Sequence, residues 1–89
     1  MEHMKPGMFA RSKAGHDKGC LYLIGRTEGE YAYLVDGSRK TLEKPKKKKW
    51  KHIQIISRIW EEWDPEKIND DDIKRAIRQY AAESAQPEI

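Results

Sequence analysis

One short segment of the chain, residues 20–26, is apolar on both of the faces that a β-strand would present. Its sequence is CLYLIGR, in which a cysteine, a tyrosine and an isoleucine alternate with two leucines. A strand with apolar side chains on both faces is stable only where both faces are covered. The segment therefore predicts the central strand of a sheet, and the rest of the chain must supply neighbouring strands and a covering layer.

Four other segments have the short length and the turn-bounded ends of β-strands. Residues 31–36, YAYLVD, are rich in β-favouring side chains. The pair Asp36-Gly37 that follows is typical of a type I′ hairpin turn, in which both central residues have positive φ. The chain beyond this turn is therefore predicted to return as a strand. The five predicted strands are residues 8–13, 20–26, 31–36, 38–42 and 52–60.

Five short strands with frequent turns predict a mainly β fold, a small antiparallel barrel that leaves little exposed edge. The chain has 89 residues, of which 37% are hydrophobic. This is enough for one small core but not for a deep catalytic cleft, so we expect a single domain without enzymatic activity. The predicted organisation is a flexible N-terminus at residues 1–6, the barrel at 7–60, and an acidic connector with a helix and a frayed tail at 61–89.

A C-terminal α-helix is predicted over residues 70–83. Asn69 is a favourable N-cap, and the three aspartates after it place negative charge at the positive end of the helix dipole. Asp64-Pro65 predicts a short turn before the helix. Trp60 and Trp63 are expected to pack beneath the helix. Its apolar stripe, expected to dock on the barrel, consists of Ile73, Ala76, Ile77, Tyr80 and Ala81.

The compartment is predicted from what the sequence contains and lacks. Cys20 is the only cysteine, which fits a reducing environment. The N-terminal residues have no apolar core typical of a signal peptide, and no segment has the roughly 20 apolar residues of a membrane span. We therefore expect a cytoplasmic protein that has no membrane partner.

Charge is distributed unevenly along the chain. Residues 1–60 hold 14 Lys/Arg and 6 Asp/Glu, a net charge of +8, whereas residues 61–89 hold 4 and 9, a net charge of −5. Much of the positive charge lies in Lys44, Lys46, Lys47, Lys48, Lys49 and Lys51, with Trp50 among them. We interpret this tract as a connection between two strands that contacts nucleic acid, with phosphates neutralised by lysines and a base stacked on the tryptophan. The alternative is that the lysines only keep the barrel soluble and protect its edges.

A second basic feature is the predicted loop between the first two strands. Glycines in this loop would let backbone amides approach a phosphate closely. The candidate RNA-binding residues of this region are Arg11, Lys13, Gly15, His16, Lys18 and Gly19, and Arg39 and Lys40 on the predicted fourth strand complete the set.

The segment GMFARSKAGHDKGCLYLIG, residues 7–25, resembles the KOW motif of several ribosomal proteins and of NusG-type transcription elongation factors. Together with the Asp-Gly pair and LEKPKKKK at residues 42–49, it is most similar to a bacterial group of KOW-domain RNA-binding proteins related to archaeal and eukaryotic large-subunit ribosomal proteins. The resemblance implies an SH3-like barrel that binds RNA, with ribosomal RNA or ribosomal particles as the expected partner. His16 and Cys20 stand where that group often has basic residues.

Metal binding, nucleophilic catalysis and protein binding are the alternatives to RNA binding. His16 and Cys20, with His3 or His52, do not match a common zinc spacing, so no metal is expected. A nucleophile pair of Cys20 with His16 or His52 would find no obvious pocket or oxyanion donors in so small a barrel, so no catalytic residues and no cofactor are expected. Cys20 is interpreted as a small core residue.

The main rival to RNA binding is a protein-interaction module of the transcription or translation machinery, which would present exposed aromatics away from the lysines.

The acidic segment at residues 61–72 has two interpretations. It is either a capped helix start with solvated carboxylates, or a partner surface that could also fold toward the lysines and weaken nonspecific binding. A lysine ridge reads phosphate charge, so the sequence does not separate RNA from DNA.

Overall fold

The computed structural model describes residues 4–84, which form five β-strands, one 3₁₀ turn and one α-helix. Residues 1–3 and 85–89, which belong to the predicted flexible N-terminus and frayed tail, lie outside the described residues. The strands are β1 (Met8–Ser12), β2 (Leu21–Glu28), β3 (Tyr31–Val35), β4 (Lys46–Lys49) and β5 (Ile53–Ile59); the 3₁₀ turn is Trp50–His52, and the helix α1 is Asp70–Ser84.

The strands form one antiparallel sheet in the order β4-β3-β2-β1-β5. The prediction of a mainly β fold with five antiparallel strands and a C-terminal helix is confirmed, and the sheet is compatible with a small SH3-like barrel. β2 lies at the centre of the sheet, as its two apolar faces predict. Its side chains therefore belong to two separate cores.

The first core, here called the sheet core, is built from strand side chains on one face of the sheet. Tyr22 and Ile24 of β2 contribute to it together with Ala32 and Leu34 of β3. Met4 is also buried here, with 4% of its surface exposed, so packed structure begins before the predicted barrel boundary at Gly7. The remaining buried members are Ala10 and Ile53.

The second core, here called the helix core, lies between the other face of the sheet and α1. Leu23 of β2 is fully buried against Ile73 and Ala76 of the helix. The Phe9 and Tyr80 rings stack with their centroids 4.6 Å apart. Trp60 is buried and Trp63 is packed against the same cluster, so the prediction that both tryptophans lie beneath the helix is confirmed.

Helix α1 begins where its capping residues predict. The Asp72 N–H donates to Asn69 Oδ1 at 2.8 Å, and the Asn69 N–H donates to Asp72 Oδ2 at 3.3 Å. This reciprocal pair satisfies two backbone donors at the start of the helix. The preceding turn forms as predicted, with the Glu66 N–H donating to Asp64 Oδ1 at 3.1 Å. Ala81 is exposed, so the docked stripe is one residue shorter than expected.

The prediction of a fourth strand at residues 38–42 is wrong. Asp36 Oδ1 accepts the N–H groups of Ser38 and Lys40, each at 2.9 Å, and this local bonding bends the backbone. Among the described residues only glycines have positive φ, so Asp36-Gly37 is not a type I′ turn. Instead Gly37, with φ of +82°, lies against the first turn of α1.

The fourth strand is the lysine tract itself. β4 pairs with β3 in a register that sets Lys46 opposite Leu34 and Lys49 opposite Tyr31. The interpretation of the tract as a connection between strands is therefore wrong. Trp50 and Lys51 belong to the 3₁₀ turn that joins β4 to β5.

Two further observations concern Cys20 and the helix. Cys20 is exposed, so its interpretation as a core residue is wrong, and it lies in the loop before β2 rather than in the strand. No helix within residues 4–84 combines the length and the apolar character that crossing a membrane would require.

Candidate nucleic-acid interface

The pleat of β4 directs its four lysines to opposite faces of the sheet. Lys46 and Lys48 pair with residues whose side chains enter the sheet core, whereas Lys47 and Lys49 pair with Tyr33 and Tyr31 on the other face. One tract of like charge is thus divided into two pairs with different surroundings.

Lys48 belongs to a nearly buried network centred on Asp17. Its Nζ lies 3.0 Å from Asp17 Oδ1, and the two side chains are only 10% and 13% exposed. Ser12 Oγ donates to Asp17 Oδ1 at 2.9 Å, and the Tyr22 hydroxyl donates to Oδ2 at 2.9 Å. Lys46 Nζ adds a looser contact, 3.5 Å from Oδ2. The carboxylate therefore has four partners from three segments of the chain.

The protonation of this network follows from its contacts. Burial acts to raise the pKa of the Asp17 carboxyl, but hydrogen bonds from Lys48, Tyr22 and Ser12 outweigh burial and hold that pKa well below its ordinary value of 3.8. Burial and the hydrogen bond to Asp17 both raise the pKa of the Tyr22 phenol. Asp17 is therefore ionised and Tyr22 protonated at neutral pH, which is the pairing that the observed hydrogen bonds require.

The network fixes the loop between β1 and β2, residues 13–20. Lys48 Nζ also donates to the Ala14 carbonyl at 2.9 Å, and Arg11 Nη1 donates to the Gly19 carbonyl at 2.9 Å. Gly15 and Gly19 have φ of +87° and +91°, a conformation that favours glycine. The loop is thus held from three sides, and it presents Lys13, His16 and Lys18 as exposed side chains.

On the opposite face of β4, cations lie over aromatic rings. Lys47 Nζ is 4.5 Å from the Tyr31 ring centroid, and the Arg26 guanidinium is 3.9 Å from the Tyr33 centroid. Arg26 reaches this face because the β2-β3 register shifts between Ile24 and Arg26, a bulge at Gly25. We call Arg26, Tyr31, Tyr33, Lys47 and Lys49 the outer platform.

Trp50 lies at the end of the outer platform. Its backbone N–H donates to the Glu30 carbonyl at 2.8 Å, which places the 3₁₀ turn beside the turn between β2 and β3. The side chains of Tyr31 and Trp50 are 38% and 39% exposed. Two carboxylates border this set: Glu28 Oε1 accepts a hydrogen bond from the Tyr33 hydroxyl at 2.8 Å, and the exposed Glu30 makes a loose 3.5 Å contact with Lys49.

The remaining predicted site residues line a cleft between the β1-β2 loop and the segment after β3. The cleft has a volume of about 270 Å³ and contains His16, Arg39, Lys40 and Lys46. Lys44 is exposed further along this segment, and Lys51 is exposed in the 3₁₀ turn. The predicted site is thus a cleft, a loop and a platform joined by β4, not one continuous ridge.

Sequence reasoning missed several residues of this arrangement. Asp17 was not among the predicted residues, although a single acid inside a basic glycine loop is a signal that it holds the loop together. Arg26 was missed as well, although Gly25 within an apolar strand indicates a bulge. The carboxylates near α1 pair with arginines rather than with β4, as Glu62 with Arg75 and Glu83 with Arg58.

Neither a scan against protein-family models nor a search of curated proteins finds a match to this chain. The resemblance to KOW-domain proteins therefore stays a prediction from the quoted residues.

Proposed function

We propose that this protein is a non-enzymatic RNA-binding module that acts in the cytoplasm, with ribosomal RNA as the expected partner. The observation that carries the proposal is the position of the exposed aromatics: Tyr31 and Trp50 lie among Lys47, Lys49 and Lys51. Flat rings interspersed with cations are what an unpaired base and its phosphates need for binding. An apolar groove remote from the lysines would have favoured a protein partner.

The division of the β4 lysines assigns them different roles in this proposal. Lys47 and Lys49 face outward and would neutralise phosphates, releasing counterions. Lys48 is held by Asp17 and Ala14, so we regard it as a positioning residue that fixes the β1-β2 loop. The loop cations Lys13 and Lys18 would then contact phosphates from a rigid frame.

The way in which RNA would be recognised follows from the contacts that these lysines and aromatic rings can make. Lysine–phosphate contacts position a nucleic acid without reading its sequence. Selectivity would come from the shape of the RNA and from unpaired bases that stack on Tyr31 and Trp50. The resemblance of residues 7–25 and 42–49 to KOW-domain RNA-binding proteins supports ribosomal RNA within this class.

A protein-interaction module has one observation in its favour. A small cleft of about 110 Å³ beside Tyr33 is lined partly by Val35, Leu42 and Pro45, and Leu42 is 38% exposed. Arg26 forms part of the same cleft, so even this apolar surface has a cationic edge. We therefore keep RNA as the proposed partner and treat protein binding as an outcome of the test.

The test is the salt dependence of binding to a ribosomal RNA fragment, measured by fluorescence anisotropy. The variant carries Lys47→Gln and Lys49→Gln, and the matched control carries Lys5→Gln and Lys67→Gln, two exposed lysines elsewhere. Losing two phosphate contacts should make the log–log salt slope shallower by roughly 1.4 to 1.8, whereas the control should keep the wild-type slope.

Co-sedimentation with ribosomal particles through a density gradient tests the identity of the RNA. Migration of the wild type with the large subunit, and of the Lys47/Lys49 variant at the top, supports a ribosomal partner. A wild-type slope near zero with every RNA would refute RNA binding, and capture of a ribosomal or transcription protein in the absence of RNA would favour the rival.

A further inference from the structure

Two clefts meet on the side of the molecule where the β1-β2 loop approaches α1. The first is the 270 Å³ cleft that contains His16, Arg39, Lys40 and Lys46. The second has a volume of about 350 Å³ and runs along α1 past Lys74 and Arg78. Cys20 and Asp36 line both, so the two clefts form one groove, here called the helix groove, with Cys20 near its middle.

The edges of the helix groove are positively charged. Five Lys/Arg side chains line it against two carboxylates, Asp17 and Asp36. Asp17 is already paired with Lys48, and Asp36 Oδ1 accepts two backbone N–H groups. Asp17 also holds Lys46 loosely, at 3.5 Å, so the groove cations that form no ion pair among the described residues are Arg39, Lys40, Lys74 and Arg78.

The helix contributes two of these cations from one face. Lys74 and Arg78 are four residues apart, so they lie one above the other on α1. Arg75, between them in sequence, is instead paired with Glu62 and Asp72. Within residues 4–84, Lys74 and Arg78 form no ion pair, although acids outnumber bases in this part of the chain. The acidic C-terminal region thus presents a locally basic face to the groove.

The floor of the groove indicates which nucleic acid it fits. Leu21, Ile77, Cys20 and Tyr22 line it. A duplex presents its phosphates on a convex surface and keeps its bases stacked inside. A single strand can place phosphates on the cationic edges and turn unstacked bases toward an apolar floor.

We propose that the helix groove binds a single-stranded segment of RNA and that Lys74 and Arg78 of α1 are phosphate-binding residues. The inference rests on the proposed RNA-binding function and extends it. The outer platform and the helix groove are separate surfaces joined through β4, with Lys49 at the end near Tyr31 and Lys46 at the end near the groove. The protein would therefore contact two parts of one RNA.

The first test compares two double variants of equal charge in the full-length chain. Lys74→Gln with Arg78→Gln removes both groove cations of α1, whereas Lys67→Gln with Arg75→Gln removes two cations near or on the helix that do not line the groove. The probe is a fluorescent single-stranded RNA oligonucleotide of mixed sequence, and a blunt-ended RNA duplex made from the same strand and its complement is the comparison ligand.

Two lost contacts to a single strand should make the salt slope shallower by roughly 1.4. Because the affinities of wild type and the Lys74/Arg78 variant converge near 1 M salt, this difference in slope is about a 25-fold loss of affinity at 0.1 M salt. The Lys67/Arg75 control should stay within about threefold of wild type, since its charges act only through a screened long-range field. The duplex should be bound less tightly than the single strand, and its affinity should fall less in the Lys74/Arg78 variant.

The second test uses Cys20, the single cysteine of the chain, as a reporter inside the groove. Single-stranded RNA at ten times its Kd should slow alkylation of Cys20 by N-ethylmaleimide roughly tenfold, since only the unbound fraction reacts. This footprint reports where the RNA lies and does not require any variant to fold.

The outcomes separate this inference from the proposed function. If the Lys47/Lys49 variant loses affinity while the Lys74/Arg78 variant binds like wild type and Cys20 is not protected, the groove inference is overturned and RNA binding stands. Equal losses in the two charge-matched variants would also overturn it, because only net charge would then matter. Absence of salt-dependent binding by the wild type would end both proposals.

Discussion

Replacing only one partner of the Asp17–Lys48 contact should be among the most destabilising substitutions in the molecule. Both charges are nearly buried, and their Oδ1 and Nζ atoms lie 3.0 Å apart. Removing one partner leaves the other as an uncompensated buried charge, which costs about 3 to 5 kcal/mol. An amide still accepts a hydrogen bond from Tyr22 or Ser12, so we expect about 3 kcal/mol for Asp17→Asn and a similar cost for Lys48→Met.

A double-mutant cycle isolates this interaction. With both charges replaced, neither desolvated ion remains, so the double variant should lose about 3 kcal/mol rather than the roughly 6 expected from additivity. The free energy of unfolding is measured in urea through tryptophan fluorescence, and each single variant should also melt roughly 12 to 24 °C below wild type. Lys49→Met, at the exposed Lys49–Glu30 pair, is the control and should cost at most about 1 kcal/mol.

The same contact makes a signed prediction about pH. The folded-state pKa of Asp17 is depressed, so ionisation favours the native state; the stabilisation is complete above pH ~5 and is lost as the pH falls through the unfolded-state pKa of about 4 and toward the lower folded-state pKa. The gap in unfolding free energy between wild type and Asp17→Asn should therefore narrow from pH ~5 downward. Additive single-variant costs, or a gap that does not depend on pH, would refute the account of Asp17 as the centre of the loop and return Lys48 to the set of solvent-facing lysines.

The two remaining predictions concern backbone positions around α1. Gly37→Ala should cost roughly 2 to 5 kcal/mol of unfolding free energy. A Cβ on this positive-φ residue would meet the Asp70 carbonyl and lie 2.7 Å from the backbone nitrogen of Lys74. Gly29→Ala, at φ of +58° with nothing within 4 Å of the new Cβ, is the control and should cost only about 1 to 2 kcal/mol; equal losses would contradict the contact with the helix. Asn69→Ala should lose about 1 kcal/mol through the missing cap, and Asn69→Ser should recover most of it. If serine is no better than alanine in urea unfolding, the cap is not what the side chain contributes.

The parts of the fold that the sequence predicted correctly depend on short-range patterns. The two apolar faces of β2 and the cap at Asn69 are each encoded within a few residues, so periodicity and side-chain chemistry suffice to identify them. The bounds of α1, Asp70–Ser84, differ from the predicted helix by one residue for the same reason. Where a strand is defined by its own alternation, local reasoning is adequate.

The fourth strand could not be predicted in this way, because its identity depends on a partner. Lysine has a low intrinsic preference for strands, and four in succession show no alternation. Pairing with β3 is what makes the lysine tract a strand. The Asp36-Gly37 pair predicts a competing hairpin turn, but the Asp36 side chain accepts backbone hydrogen bonds that form a different bend. Asp17 was missed for a related reason, since its partner Lys48 lies 31 residues away in the sequence.

The division of the lysines between two faces also decides how binding has to be tested. A strand pleat separates four like charges into pairs, and one pair is balanced by Asp17 while the other faces the solvent beside Tyr31 and Tyr33. Replacing all four with alanine would remove phosphate contacts and also release the β1-β2 loop, so lost RNA binding would have two causes. Replacing only Lys47 and Lys49 leaves the Asp17 network intact. Because adjacent lysines of β4 face opposite sides of the sheet, the Lys47/Lys49 variant tests phosphate contacts alone. A variant that replaces the whole tract cannot separate those contacts from the loss of the Asp17 network.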